Sequence, residues 1–390
     1  MAEPAIPPWF QPPSPYTSPD RRATVIGAGL AGCSIARHLA LRGWQVRLLE
    51  KNSAIANLTS GNPAGLVKPR LNYQDNSLNN YYKKYYQYFI DYLENLVELY
   101  PDLQQDLSGL FEACPTGQTF RFVENAGWLR PSDFCKAQVA ACNSLELRTD
   151  QAVSVIEQSA GNWKCLDNNG ETIAESPVLI LANGDALTAF EETRGLPLEA
   201  LSGQITLLSA DALSPSVQQV HSGKHYLIPL PGGGYLCGAS NRRGRSWAVE
   251  DKHHQANLRG LGDLLPDISI DARKITAGRT AVRSVSPDHL PLLGAVPDQS
   301  FYLQHYDRLH HGRKNDSYVP AGYHTGLYMI GALGSHGIAS SPYLGKLLSD
   351  IICGSQNGEF DASSACLLHP ARFLIRQLRR KPQDRLLHTD

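Results

Sequence analysis

Between residues 22 and 50, apolar runs and glycines alternate in an order that predicts a βαβ unit. Residues 23–26 (ATVI) form one apolar run, and residues 46–50 (VRLLE) form a second that ends in an acid. Between them, Ile35, Ala36, Leu39 and Ala40 recur with helical spacing, and the pattern stops at Arg42-Gly43. The sequence therefore predicts a buried strand, a glycine-rich turn, a helix and a second strand.

A second helix is predicted over residues 76–100, which are rich in tyrosine. Its apolar residues recur every three to four positions, at Tyr82, Tyr86, Phe89, Leu93 and Leu96. Such a stripe could line a ligand cavity, but we interpret it as the side of a helix that packs on the core.

The rest of the chain alternates between strand and helix patterns. Residues 177–181 form a continuous apolar run that predicts a fully buried strand opening onto Gly184. Further strands are predicted at 153–157, 161–167, 204–209, 226–230, 234–239, 277–284 and 327–330, and further helices at 250–265 and 341–353. This mixture predicts an α/β fold.

The turn in the βαβ unit has the glycine spacing of a dinucleotide-binding motif. Gly27 permits the tight turn, Gly29 lets the backbone approach a pyrophosphate, and Gly32 lets the helix pack closely on the strand. Glu50, at the end of the second strand, is placed to accept hydrogen bonds from a ribose 2′-hydroxyl. The motif predicts a dinucleotide but does not separate NAD from FAD.

Elements typical of nucleotide binding occur at the start, middle and end of the chain, which predicts a discontinuous two-domain architecture. We assign residues 22–72, 145–200 and 276–390 to the nucleotide-binding domain, with 301–325 as a loop excursion. Residues 73–144 and 201–275 are assigned to a substrate domain. Residues 1–21, with seven prolines among the first twenty, are predicted to be a disordered leader.

Composition excludes several classes of protein. A net charge of −1 over 390 residues gives no global signature of nucleic-acid binding, so an RNA partner would have to meet local basic patches. The eight cysteines are scattered without metal-ligand spacing, and we predict no metal site. The sequence contains no signal peptide and no apolar run long enough for a membrane span, so we predict a cytoplasmic protein with no membrane partner.

Several phrases of the sequence are similar to those of the FAD-dependent D-amino-acid oxidase and glycine oxidase superfamily. Within it, they most resemble the oxidoreductase domain of MnmC, a tRNA-modification family. The phrases are residues 59–65 (TSGNPAG), 126–131 (AGWLRP), 282–291 (VRSVSPDHLP), 331–337 (GALGSHG) and 369–380 (HPARFLIRQLRR). The resemblance implies a Rossmann-like FAD-binding domain with an inserted substrate domain of antiparallel β-sheet and helices.

The resemblance also implies FAD as the cofactor and assigns residues to it. Gly27, Gly29, Gly32 and Glu50 would hold the pyrophosphate and the adenosine ribose, and Val153 would meet the adenine through its backbone. The turn at Gly184 would lie beside the dinucleotide. The residues expected near the flavin ring or its ribityl chain are Ser60, Gly61, Asn62, Gly334, Ser335 and Gly337.

Two residues are implied for the substrate. Arg283 would pair with the α-carboxylate of an amino acid, since a planar guanidinium offers two parallel donors. Tyr226 occupies the place of a tyrosine that binds the same carboxylate, although a tyrosine of the core fits the sequence as well. No histidine, cysteine or carboxylate stands out as a general base, and His336 is interpreted as facing solvent.

The resemblance implies that the substrate is a tRNA wobble uridine carrying a carboxymethylaminomethyl group, with or without a 2-thio group. Oxidation would release glyoxylate and leave aminomethyluridine. Because only the short proline-rich leader precedes the motifs, we expect methylation of that amine to be left to a separate methyltransferase. The alternatives are an oxidase of free glycine, sarcosine or D-amino acids, and a flavoprotein without turnover.

Two arginine clusters are candidates for contacts with RNA. One is Arg242-Arg243-Gly244-Arg245, and the other is the tail group Arg372, Arg376, Arg379, Arg380 and Lys381, with Phe373 as a ring on which a base could stack. A charged run is more often a solvated face, so these clusters support the RNA hypothesis only weakly.

Overall fold

The computed structural model describes residues 5–70, 77–114, 119–140, 142–312, 317–354 and 360–386. Within these ranges no helix is both long and apolar enough to cross a membrane. The α-helices are α1 (Leu30–Ala40), α2 (Ser77–Leu99), α3 (Pro131–Ala140), α4 (Asp251–Leu264), α5 (Gln299–Tyr306), α6 (Gly337–Cys353), α7 (Ala362–Leu368) and α8 (Arg372–Leu378).

The strands of the described ranges form two large sheets and three small ones. They are β1 (Arg22–Ile26), β2 (Gln45–Leu49), β3 (Gly65–Val67), β4 (Gln105–Asp106), β5 (Leu110–Ala113), β6 (Phe120–Val123), β7 (Gly127–Leu129), β8 (Leu145–Arg148), β9 (Val155–Ser159), β10 (Asn162–Leu166), β11 (Thr172–Ser176), β12 (Val178–Leu181), β13 (Glu199–Leu208), β14 (Leu213–Ser214), β15 (Val220–Ser222), β16 (Tyr226–Pro229), β17 (Tyr235–Arg243), β18 (Ser269–Ile270), β19 (Ile275–Val285), β20 (Leu292–Pro297) and β21 (Tyr323–Gly331).

The first large sheet has six strands in the order β20-β21-β12-β1-β2-β8. Its pairs are parallel except β20 with β21. Both faces are covered, so successive apolar residues of one strand enter different cores. Val25 and Leu48 belong to a core shared with α1, α2, α3 and α6, whereas Ile26 and Leu49 pack against the three-stranded sheet β9-β10-β11.

The second large sheet has seven strands in the order β19-β13-β17-β16-β15-β5-β6. Neighbours are antiparallel except β15 with β5. Leu227 and Cys237 lie in a core with the apolar face of α4, while Ile228 and Leu236 face Ala64 in the other direction. The predicted α/β fold, with an antiparallel sheet inserted between parts of a nucleotide-binding domain, is confirmed.

Sheet membership differs from the predicted domain boundaries at two places. Strand β19 pairs with β13 along its whole length, so residues 276–285, assigned above to the nucleotide-binding domain, are part of the second sheet. Helices α2 and α3, predicted in the substrate domain, pack with α1 and α6 on the first sheet. The reason is the aromatic stripe of α2, whose residues Tyr82, Tyr86, Phe89, Leu93 and Leu96 are all buried there. The interpretation of this stripe as a core-packing face is confirmed.

The leader was expected to be disordered, but its described part (5–20) packs on the fold. Phe10 is only 7% exposed and contacts the ring of His369 at 5.0 Å between centroids. The carbonyl of Pro8 accepts a hydrogen bond from the Ala321 N–H at 3.0 Å, and the N–H of Tyr16 donates to the Ile352 carbonyl at 2.7 Å. A buried aromatic ring and backbone hydrogen bonds therefore hold this segment on the fold, although its proline-rich composition favours disorder.

The loop predicted at residues 301–325 instead contains most of α5, a 3₁₀ turn at Asp307–His311 and the start of β21. Asp298 caps α5, because its Oδ1 accepts from the Phe301 N–H at 3.1 Å. Tyr302 and Tyr306, one helical turn apart, are fully buried. The segment has too few apolar residues for a helical period, which is why the pattern did not reveal the helix.

Candidate flavin and substrate site

Four parallel strands of the first sheet end at one edge and bring the predicted cofactor residues together. The glycine turn follows β1, Glu50 follows β2, Gly184 lies three residues beyond β12, and residues 332–337 follow β21. The N–H of Gly27 donates to the Leu49 carbonyl at 2.7 Å, and that of Ala182 donates to Ile26 at 2.9 Å. Open α/β sheets bind ligands at this carboxyl edge.

The three motif glycines have three different steric reasons. Gly27 has φ +102°, and a Cβ there would lie 2.7 Å from the Ala182 carbonyl oxygen. At Gly32 a Cβ would lie 1.8 Å from the Gly27 carbonyl oxygen, which a folded chain cannot accommodate. At Gly29 the nearest atom would be Ser60 Oγ at 3.1 Å. Gly29 thus keeps open the narrow space between the turn and the 57–62 loop.

Glu50 is buried and lies beside the turn, as the motif requires. Its Oε2 accepts from the Ala28 N–H at 3.0 Å, and its Oε1 accepts from the backbone N–H and the side-chain amide of Asn52. The carboxylate is therefore fixed in orientation next to the pyrophosphate turn. Val153 lies near Glu50 in space, because the N–H of Gln151, two residues earlier, donates to the Glu50 carbonyl at 2.9 Å. Its half-buried side chain packs beside the first sheet.

Helices α1 and α6 both begin at this edge without a side-chain cap. Their first-turn N–H groups carry the positive end of each helix dipole, which favours an anionic group. Gly334 has φ +56°, and Gly337 opens α6. The nearest atom to a Cβ at Gly334 would be 3.9 Å away, so the approach to this helix end is open.

The second sheet holds the 57–62 loop against the glycine turn through Arg279. Its guanidinium donates to Asn62 Oδ1 at 2.7 Å and to the carbonyls of Asn57 and Leu58. Ser60 Oγ accepts from the Leu30 N–H at 3.2 Å, and a Cβ on Gly61 would collide with the Arg279 guanidinium at 2.6 Å. Arg279 belongs to no motif of the sequence, although it lies four residues before Arg283 and so on the same face of one strand.

Arg283 projects from β19 toward residues 332–336, which connect β21 to α6 and are called the α6 loop below. Its guanidinium donates to Ser335 Oγ at 2.7 Å and to the side-chain oxygen of Asn241 on β17. Burial lowers the pKa of Arg283, and no carboxylate of the described ranges forms an ion pair with it. A half-buried arginine without an anionic partner is suited to bind one from a ligand. Asn241 was not predicted, because only the pairing of β13 with β17 brings it there.

Tyr226 lies on β16 near Arg283. Burial raises the pKa of Tyr226 to about 12, although the nearby Arg283 lowers it in part. The hydroxyl is therefore protonated at neutral pH and available as a donor. The roles of Arg283 and Tyr226 toward a substrate stay predictions.

His336, which precedes α6, is half-buried rather than facing solvent. Burial lowers its pKa to about 4, and the positive charges of Arg70 and Lys68 lower it further. The imidazole is neutral at physiological pH, so it adds no positive charge to the helix end beside it.

The tail cluster of cations is largely structural. Arg372 is 2% exposed and forms a bidentate pair with Asp288, and it also donates to the carbonyls of Leu290 and Pro291. Phe373 is buried, and the guanidinium groups of Arg372 and Arg376 both lie over its ring, so the ring is not available to stack on a base as the sequence suggested. The sequence could not reveal this, since Asp288 lies more than eighty residues away.

The other cluster is compensated by acids. Arg242 pairs with Glu250 at 2.9 Å, and Arg245 pairs with Asp185 at 3.0 Å. Arg243, with 89% of its side chain exposed, lies 4.0 Å from Glu199. This run is a solvated face whose charges already have partners, which weakens it as an RNA contact.

The model of one protein family matches most of this chain. The model of the FAD dependent oxidoreductase family matches residues 22–123 and 120–351. The chain belongs to this family. The predicted FAD cofactor is thereby confirmed, and the chain is an FAD-dependent oxidoreductase.

Two relatives carry the same name, tRNA 5-methylaminomethyl-2-thiouridine biosynthesis bifunctional protein MnmC. The protein of Stutzerimonas stutzeri is 31% identical over 417 residues, which cover 97% of this chain. That of Paraburkholderia phytofirmans is 29% identical over 419 residues, which cover 95% of this chain. In both cases the match spans 62% of the relative's length. The resemblance to MnmC seen in the sequence is confirmed.

Solved structures share the fold. Glycine oxidase from Geobacillus kaustophilus superposes with a TM-score of 0.69 at 19% identity, over 89% of this chain and 98% of that one. Amadoriase II from Aspergillus fumigatus gives a TM-score of 0.70 at 13% identity, over 94% of each chain. These likenesses confirm a D-amino-acid-oxidase-like architecture.

The geometry of the carboxyl edge fits FAD. The two uncapped helix ends suit the two places where FAD carries negative charge, the pyrophosphate at α1 and the reduced flavin ring at α6. Glu50 favours a ribose 2′-hydroxyl over a 2′-phosphate, because two negative groups would repel each other. Each cofactor contact assigned above to a single residue stays a prediction.

Proposed function

We propose that this enzyme oxidises the CH–NH group of a glycine unit attached to a tRNA base. The substrate would be 5-carboxymethylaminomethyluridine at the wobble position, with or without a 2-thio group, and the products would be aminomethyluridine and glyoxylate. Two findings support the substrate class. The relatives are named for biosynthesis of a 5-methylaminomethyl-2-thiouridine in tRNA, and the carboxymethylaminomethyl group is an N-substituted glycine with a free carboxylate.

Arg283 is the observation that carries the proposal. It points toward the α6 loop, is held there by Asn241 and Ser335, and forms no ion pair with a carboxylate of the described residues. The carboxylate of the glycine unit supplies that partner, and two parallel N–H donors fix its direction. The CH–NH group is then held at a set distance from the α6 loop.

The protein's part in the chemistry is orientation and exclusion of water. FAD, when bound, would accept the hydrogen of the C–H bond together with its electron pair, while the nitrogen loses a proton and the C–N bond becomes a C=N bond. Tyr226 donates a second hydrogen bond to the carboxylate, which its raised pKa permits at neutral pH. His336 is neutral at physiological pH, so the positive charge on its side of the site comes from the start of α6 and from the nearby Arg70 and Lys68. Water hydrolyses the resulting imine to glyoxylate and the amine.

The amine that remains on the uridine is a nucleophile. We propose that a separate methyltransferase acts on it as a partner reaction, and that both steps take place in the cytoplasm, where tRNA is modified.

The test is anaerobic mixing of the purified, flavin-containing protein with tRNA that carries carboxymethylaminomethyluridine. Flavin absorbance is followed, and the tRNA is then digested for nucleoside mass spectrometry. We expect bleaching of the flavin together with aminomethyluridine in stoichiometric amount. Transfer RNA lacking the modification is the matched control and should leave the flavin yellow.

Two other results would overturn the proposal. Bleaching by glycine, sarcosine or a D-amino acid, with none by the modified tRNA, would make this a small-amine oxidase. A flavin that stays oxidised with every substrate would identify a flavoprotein without turnover.

A further inference from the structure

Two segments far apart in the sequence form one basic surface beside α5. Residues 307–312 follow α5, and residues 379–385 follow α8. Arg385 joins them, because its guanidinium donates to the carboxylate and carbonyl of Asp307 and lies 3.2 Å from Nδ1 of His310. We call residues 307–312 and 379–385 together the distal basic patch.

The patch carries five cationic side chains and two carboxylates in a chain whose net charge is −1. One carboxylate, that of Asp307, is already paired with Arg385. Arg308, Arg380 and Lys381 are exposed, and none of the three forms an ion pair with a described residue. This separates them from Arg372 and Arg376, which are bound to Asp288. The patch therefore has uncompensated positive charge at its surface.

The patch also has a defined place relative to the substrate site. Strand β21 begins at Tyr323 next to α5, since Asp298 just before α5 bonds to Gly322, and it ends at Gly331 beside the α6 loop. Nine residues of strand span about 30 Å at roughly 3.3 Å each. The patch lies after α5 and α8 and shares no residue with the Arg283 site. A folded nucleic acid is large enough to contact two separate surfaces of the protein, whereas a free amino acid is not.

We propose that the distal basic patch binds the phosphate backbone of the tRNA whose modified base occupies the Arg283 site. The inference rests on the proposed function for the identity of the RNA. Charge complementarity favours phosphates, because exposed arginine and lysine side chains without partners release counterions from a polyanion. The contact is independent of sequence and positions the tRNA, while the reacting group is recognised at Arg283.

The test uses a triple variant of the full chain, Arg308→Gln/Arg380→Gln/Lys381→Gln. A matched control is Lys252→Gln/Arg259→Gln/Arg273→Gln, which removes the same three charges from exposed positions on and after α4. The probe is an unmodified tRNA transcript, which binds without reacting. Its dissociation constant is measured by fluorescence anisotropy over a range of salt concentrations, for flavin-loaded protein in each case.

We expect the patch variant to bind the transcript more weakly and the control to bind like the wild type. The logarithm of the association constant falls linearly with the logarithm of the salt concentration. Loss of three phosphate contacts makes this negative slope smaller in magnitude by about 2 to 3. The advantage of the wild type over the variant should then shrink about forty-fold between roughly 50 and 200 mM salt. With modified tRNA as substrate, KM rises and kcat is unchanged.

Equal effects of the two triple variants would overturn the proposal, since they would reflect net charge alone. Unchanged binding of the transcript by the patch variant would also overturn it. That result would not bear on the proposed oxidation of the modified base. Patch-dependent binding of the transcript without oxidation of the modified base would support the patch and sink the proposed function, so the two failures are distinguishable.

Discussion

Arg283 is oriented before any substrate arrives, by one hydrogen bond from each of two terminal nitrogens. We predict that Arg283→Lys lowers kcat/KM for the modified tRNA by about 10- to 100-fold, because a lysine keeps the charge but loses the bidentate geometry, worth about 1.5–3 kcal/mol. Flavin content should be unchanged. Steady-state kinetics and the flavin spectrum measure both quantities. Arg273→Lys, at an exposed site, is the control, and equal activity of the two variants would remove Arg283 from the substrate site.

Buried histidines make the fold sensitive to acid. Burial lowers the pKa of His369 to about 3 and that of His38 to about 4. An unfolded histidine titrates near 6.5, so below that pH the unfolded chain binds more protons than the folded one. The free energy of unfolding therefore falls as pH drops from about 6.5 toward 4.

We predict that His369→Gln reduces this slope by about 1.4 kcal/mol per pH unit between pH 4 and 6, one proton's worth. Urea unfolding at several pH values measures it. The variant loses stability at pH 7, because His369 accepts from the Ala371 N–H and contacts Tyr323 Oη. The exposed His311→Gln should keep the wild-type slope. An unchanged slope in His369→Gln would show that this histidine is not neutral in the fold.

At the residue scale, the sequence predicted those positions whose chemistry is local. Gly32 and Glu50 contact neighbours within one βαβ unit, so the spacing of the motif alone predicts where they lie. Arg279 and Asn241 depend on which strands pair, and the buried state of Arg372 depends on a distant acid. A single sequence cannot tell a paired arginine from a free one, because both have the same side chain.

At the element scale, the glycine turn links folding to cofactor binding, and its second and third glycines, Gly29 and Gly32, separate the two roles. We predict that Gly32→Ala destabilises the fold by more than about 4 kcal/mol, because its Cβ would overlap the Gly27 carbonyl at 1.8 Å. Gly29→Ala should fold nearly normally but lose FAD, since its Cβ enters the space toward Ser60. Thermal unfolding and flavin content of purified protein distinguish the two. Equal flavin content in Gly29→Ala and wild type would contradict the assignment.

Elements with a strong hydrophobic period were predicted with nearly correct bounds. Helix α4 was predicted at 250–265 and spans Asp251–Leu264, and the strand predicted at 277–284 lies within β19. Helix α5 was missed because two tyrosines a turn apart bury it while its other residues are polar. The sheet that α2 and β19 join could not be predicted from their own patterns, because it depends on the partners with which they pack or pair.

At the scale of the whole molecule, the described N-terminal segment and the C-terminal helix α8 meet beside α5. Phe10 and Ile375 share one apolar cluster with Tyr302 and Tyr306 of α5, and the Arg379 guanidinium lies over the ring of Trp9. The leader thus covers the base of the distal basic patch. Deleting the tail from residue 369 would remove Arg372 and part of this core, so truncation cannot separate a role in RNA binding from a role in folding.

A point variant in the leader tests this closure directly. We predict that Phe10→Ala lowers the free energy of unfolding by about 3 kcal/mol, because the ring is 7% exposed and its removal leaves a cavity beside His369. Chemical denaturation of the flavin-loaded protein measures the change. Trp247→Ala, which removes a larger ring from a side chain that is 42% exposed, should change stability by less than about 1 kcal/mol. If both variants match the wild type, the leader does not contribute to the fold, and the composition-based prediction of a disordered segment would be the correct one.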